Sequence, residues 1–120
     1  MVNGNQKDNV IKTKTYTFAL NTIKLFKELQ KEKEFVLSKQ LLRAATSIGA
    51  NTEEGIQAQS KADFIHKFSI AQKEAFEAHY WLRLLTDSHY ITQLQSESLI
   101  QDCVEIQKII TAILKTSKQH

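Results

Sequence analysis

Between Phe64 and Leu85, seven residues (Phe64, Phe68, Ala71, Ala75, Ala78, Leu82 and Leu85) recur at intervals of four, three, four, three, four and three. An α-helix turns once in 3.6 residues, so this alternation lays one apolar seam along a single helix face. A strand would scatter the same residues over both faces. The seam runs for about six turns without interruption, because the chain contains no proline, and it has only three glycines in 120 residues. Such a composition suits long helices joined by short turns and fits a sandwich or barrel poorly.

Three further segments carry helical periodicity. From Ile11 to about Lys33, Tyr16, Phe18, Ala19, Ile23, Leu25, Phe26 and Leu29 share one half of a helical wheel, with Lys24, Lys27, Glu28 and Lys31 opposite. After a turn near Lys33 and Glu34, a second seam runs through Leu37, Leu41, Ala44, Ile48, Asn51 and Gly55 and ends near Gln59 and Ser60. Ser60 with Asp63 forms a capping box for the third helix, expected over about Lys61 to Asp87. Beyond the DSHY turn, Thr92 with Gln95 forms another, for a fourth helix with the seam Leu99, Cys103, Ile106, Ile110 and Ile113. The prediction is one all-α domain over residues 1–120, an antiparallel up-down-up-down four-helix bundle, with 1–9 and 115–120 as loose ends.

A bundle helix buries one stripe, yet the third helix is apolar on its back as well. Ile70, Trp81 and Leu84 lie opposite the seam, with Phe76 and Tyr80 on the flank. Either neighbouring helices of the same chain cover these residues or another subunit does. The second is the expectation, because large exposed apolar patches mark interfaces, and it places Trp81 at or near a homo-oligomer interface.

Charge is distributed unevenly. Residues 1–33 carry +4, against −1 for the rest of a chain whose total is +3. Lys24, Lys27 and Lys31 fall within about 60° of one another on the wheel, a basic stripe that is either a solvated helix face or a contact for an RNA or DNA backbone. Arginine stands only at 43 and 83, without aromatic interleaving, so base-specific recognition is not expected.

Catalytic and metal chemistry have no foothold. The lone cysteine, Cys103, occupies a core position and cannot form an internal disulfide. No Glu is followed by His three residues later, as a di-iron bundle requires. Asp63 with His66 is the nearest case, and there Asp63 already serves the cap. His79 and His89 have no nucleophile or carboxylate placed beside them in sequence, and no phosphate loop or HExxH occurs. The expectation is no enzyme, no catalytic residue, no cofactor, no metal and no small-molecule substrate. No apolar run reaches the roughly 20 residues of a membrane span, and MVNGNQKDNV lacks the apolar stretch of a leader, so a cytoplasmic protein without membrane contact is expected.

The stretch LLRAATSIGANTEEGIQAQSKADFIHKFSIAQKEAFEAHYWLRLL resembles the four-helix bundle proteins of the 23S rRNA intervening-sequence type, some of them labelled ribosomal proteins. Leu42, Arg43, Ser47, Ile48, Asn51, Glu54, Gly55, Ser60, Phe64, Ile70, Ala71, Glu74 and Leu82 carry the likeness. Gly49 and Ala50 stand where a proline is often found. The resemblance implies an all-α bundle assembled as a homopentamer and, through a related branch of retroelement accessory proteins, contact with nucleic acid. Read from the residues alone, Ser47, Asn51, Glu54 and Ala58 form one row beside the seam, and Gly55 lies within it. Such a row is either a polar structural network, with Glu54 served by Lys73 or Arg43, or a partner site.

Two functions therefore stand open. One is a non-catalytic homo-oligomeric assembly module using Ile70, Trp81 and Leu84. The other is a sequence-independent nucleic-acid-binding accessory protein using Lys24, Lys27 and Lys31.

Overall fold

A computed structural model describes the backbone of residues 6–119 and side chains from Val10 to Gln119. Four helices account for nearly all of it: α1 (Gln6–Lys31), α2 (Leu37–Ile56), α3 (Lys61–Asp87) and α4 (Gln93–Gln119). Each packs on its chain-order neighbours and α4 closes back on α1, giving an antiparallel bundle of 46 × 20 × 19 Å. Of the expected loose ends, residues 6–9 and 115–119 continue α1 and α4 as helix, and residues 1–5 and 120 fall outside the described residues.

All seven seam residues of α3 are buried, as are Leu99, Cys103, Ile106, Ile110 and Ile113 of α4. On α1 the buried line differs from the expected one. It runs Ile11, Thr15, Phe18, Thr22, Leu25 and Leu29, again at four and three, while Tyr16 is 60% exposed and Ala19, Ile23 and Phe26 are only half-buried. The apolar arc of α1 is wider than its neighbours can cover, and they select the strip with slimmer side chains. Thr15 sits against Gly49, where an added methyl would stand 3.6 Å from the Thr15 carbonyl oxygen, so α1 and α2 approach closely. On α2 the same selection buries Thr52 and leaves Asn51 half-exposed.

The turns explain where the helices stop. After α1, Lys33 takes φ 63°, its N–H donates to the Gln30 carbonyl (3.0 Å), and the Glu34 N–H reaches back to Leu29 (2.9 Å). After α3, His89 takes φ 68°, with His89 N–H donating to Thr86 and Tyr90 N–H to Leu85, both 3.0 Å. Both are Schellman endings, whose left-handed residue is normally glycine. A side chain there costs about 1–2 kcal/mol, part of which glycine returns through its greater freedom when unfolded. Lys33→Gly and His89→Gly are each expected to raise unfolding free energy by about 0.5–1 kcal/mol, measured by urea titration.

The helix starts are capped by side chains. Ser60 accepts from the Asp63 N–H (3.1 Å) at α3. At α4 the box is reciprocal, Thr92 N–H to Gln95 Oε1 (2.9 Å) and Gln95 N–H to Thr92 Oγ1 (3.1 Å). Glu34 performs this role for α2: it is buried, and its carboxylate accepts from the N–H groups of Val36 (3.1 Å), Leu37 (3.0 Å) and Ser38 (2.6 Å). Desolvation pushes the Glu34 pKa up, but the Ser38, Leu37 and Val36 N–H groups together outweigh it and hold the carboxyl below its ordinary range.

Candidate interaction surfaces

The outer side of α3 is the first candidate. With its seam inward, the helix turns Phe76 (55% exposed) and Tyr80 (47% exposed) to the outside, one turn apart. Ile70, Trp81 and Leu84 are half-buried. Trp81 leans on the core, donates its indole N–H to Glu77 Oε1 (3.1 Å) and meets the Tyr80 ring edge-on at 5.1 Å. The Arg83 guanidinium lies over the other aromatic surface, 5.7 Å from the Tyr80 centroid. The chain thus covers part of the expected patch and leaves its flank, Phe76 and Tyr80, as the most exposed portion.

The polar row on α2 faces α3. Asn51 donates to the Ser47 carbonyl (2.9 Å) and to Ser47 Oγ (3.1 Å), one turn back on its own helix. Glu54 pairs with Lys67 at 2.8 Å, and not with Lys73 or Arg43 as expected. The reason is register: in two antiparallel helices, residues equally distant from their connecting turn meet. Glu54 and Lys67 lie close to that turn, whereas Arg43 lies farther from it and pairs with Glu74 (3.2 Å) and Glu77. Lys73 is exposed. The Trp81 N–H, opposed by desolvation and assisted by Arg43, keeps the Glu77 carboxyl below its ordinary range, so this cluster is an ionised network at neutral pH.

Gly55, the last residue of the motif, has a packing role. A Cβ at this position would stand 2.8 Å from two carbons of the fully buried Phe68 ring. The close crossing of α2 over α3 depends on its absence.

The third surface is the α1 stripe. Lys24, Lys27 and Lys31 are all exposed, and none enters an ion pair among the described residues; Lys14, toward α4, pairs with Glu105.

Two concavities complete the surface. A cleft of about 850 Å³ opens at the bundle end between the last turns of α1 and the α3–α4 turn, and a groove of about 380 Å³ runs between α1 and α2. Among the described residues, no three His, Cys, Asp or Glu side chains gather as metal ligands would. Cys103 is buried, donates its thiol to the Ala75 carbonyl (3.2 Å), and has its pKa pushed up by desolvation to about 12. It remains a protonated thiol at neutral pH, without nucleophilic character. His79 has its pKa lowered by desolvation and by Arg83, and Gln107 approaches its Nδ1 at 3.5 Å while donating to Ala75. Cys103 and Gln107 thus tie α4 to the Ala75 carbonyl of α3. No described helix is long and apolar enough to cross a membrane.

Comparison with known proteins agrees with the fold. A crystal structure of a protein with unknown function from the S23 ribosomal protein family of Bacteroides thetaiotaomicron VPI-5482 superposes with a TM-score of 0.88. It is 54% identical, and the alignment covers 91% of this chain and 98% of that one. No curated protein matches. The model of the 23S rRNA-intervening sequence protein family matches residues 7–112, from the start of α1 into α4. The chain belongs to the 23S rRNA-intervening sequence protein family.

Proposed function

We propose that this protein is a non-catalytic assembly module that associates with copies of itself through the outer face of α3. The observation that carries this reading is the pair Phe76 and Tyr80, two large aromatics left about half exposed side by side on a helix whose inward seam is already complete. Ile70, Trp81 and Leu84 extend the same face. Removing a large apolar side chain from water contributes about 1.5–3 kcal/mol, so a half-exposed cluster of this size favours association. A ring of five is the assembly that the family resemblance implies. A Phe76→Asp, Tyr80→Asp double variant is expected to keep its helical circular dichroism and to sediment as a monomer beside an oligomeric wild type. Unchanged sedimentation would remove α3 from the interface.

A second reading, contact with an RNA or DNA backbone, is favoured by the exposed Lys24, Lys27 and Lys31, which enter no ion pair among the described residues. A ring would repeat the stripe once per subunit and strengthen its field. This reading expects affinity for a random-sequence oligonucleotide that falls steeply with salt and vanishes in a Lys24→Glu, Lys27→Glu, Lys31→Glu variant. Absence of binding at low salt would discard it.

A further inference from the structure

The α3 ridge and the α1–α2 groove lie on different faces of the bundle, the ridge carrying large aromatic side chains and the groove small ones. The groove is lined by small side chains, Ala19, Thr46, Gly49 and Ala50, with Tyr16 at its rim and Glu53 along one edge. Leu20, 45% exposed, continues the apolar surface along α1. Gly49 is unusual in this setting. Glycine inside a helix is unfavourable relative to alanine, and a methyl there would meet Thr15 only at ordinary contact distances of 3.6–3.7 Å. Packing within the chain therefore does not require a glycine at this wall.

The charges point the same way. Glu53 makes no ion pair among the described residues, and Glu54 beside it has only Lys67. On the ridge, exposed Lys73 precedes Phe76 by one turn and has no acidic partner among the described residues, while Arg83 follows Tyr80 and lies over its ring. A base-flanked aromatic ridge thus matches an acid-edged groove, the kind of complementarity that sets register between partners.

We infer that Phe76 and Tyr80 of one copy seat in the α1–α2 groove of the next, with Lys73 brought toward Glu53. This rests on the self-association proposed above and specifies its second half. Because ridge and groove are different surfaces on different faces, a copy seated by its ridge still offers its own groove, so the contact is heterologous and can continue from copy to copy.

Two variants test the pairing. Ala50 is exposed, so Ala50→Arg blocks the groove without touching the core, and Tyr80→Glu blocks the ridge. Each alone is expected to be monomeric. Mixed in equal amounts, well above the concentration at which the wild type assembles, they should form a dimer and nothing larger, because one intact ridge then meets one intact groove. Should Ala50→Arg unfold by circular dichroism, Glu53→Arg repeats the test at the groove edge. If the groove variant assembles like the wild type while Tyr80→Glu does not, the ridge pairs with itself, and the inference fails with the α3 interface intact. A mixture that stays monomeric also overturns it. A monomeric wild type would defeat the self-association reading itself.

Discussion

Replacing Gly55 by alanine is expected to lower unfolding free energy by about 2 kcal/mol, even though alanine is the better helix former. The added methyl would lie 2.8 Å from Phe68 Cδ2 and Cε2 and 3.3 Å from Lys67 Cβ. Phe68 is fully buried and packs on Phe64 with ring centroids 4.6 Å apart, so the ring cannot swing aside without displacing its neighbours. Forcing a methylene into a packed core costs typically about 1–3 kcal/mol, sometimes more, and the helix-propensity gain of just under about 1 kcal/mol offsets only part. Gly49→Ala, made in the Phe76→Asp, Tyr80→Asp background, provides the contrast: with room for its methyl within the chain, it should raise stability by about 0.5–1 kcal/mol. Urea titrations at one protein concentration read both, and similar effects from the two substitutions would contradict this packing account.

Glu34→Ala is the second large effect, an expected loss of about 2–3 kcal/mol. It removes a buried carboxylate that accepts three backbone N–H bonds at the start of α2, leaving the buried Ser38 donor and the part-buried Val36 and Leu37 donors without that acceptor. The local network suffers as well. Ser38 Oγ donates to the Glu34 carbonyl at 2.8 Å, and Gln30 Nε2 donates to that carbonyl (3.2 Å) and to Ser38 Oγ (2.9 Å). Glu34→Gln keeps an acceptor and loses the charge, so it should fall between wild type and alanine. The pH dependence follows from the direction of the shift. A carboxyl whose folded pKa is depressed contributes stability above its unfolded pKa and loses it as pH falls through the folded value. With an ordinary value of 4.5 and both Glu34 and Glu77 lowered, the loss should set in below about pH 4.5. Glu34→Ala should flatten that acid limb, and an unchanged limb would show that Glu34 is not its source.

Most of the bundle was legible because its signals are periodic and local. The α3 spacing named every residue that is buried there, and both capping boxes mark true helix starts. The α1 seam was not legible. A wheel weights Tyr16 and Phe26 heavily as apolar, while the structure buries Thr15 and Thr22, whose hydroxyls look polar in sequence but whose slim branched side chains suit a close helix crossing. Glu34 was equally hidden: in KEKEFVLSK it reads as one charge among several, and only the left-handed turn at Lys33 swings it onto the N-terminus of α2. The Glu54 partner depended on helix register, which the row spacing alone does not contain. Of the surfaces, the α3 ridge could be read from apolar residues on the wrong face. The groove could not, because it is made of what Gly49, Ala50 and Ala19 lack, and its position follows from the α1 seam.

The most direct test of self-association is the mass of the wild-type protein in solution. Multi-angle light scattering at micromolar concentration is expected to give a discrete multiple of the 13.8 kDa chain mass, about fivefold for the ring that the family resemblance implies, with the Phe76→Asp, Tyr80→Asp variant at one chain mass. A wild type that elutes at 13.8 kDa across that range would contradict the account.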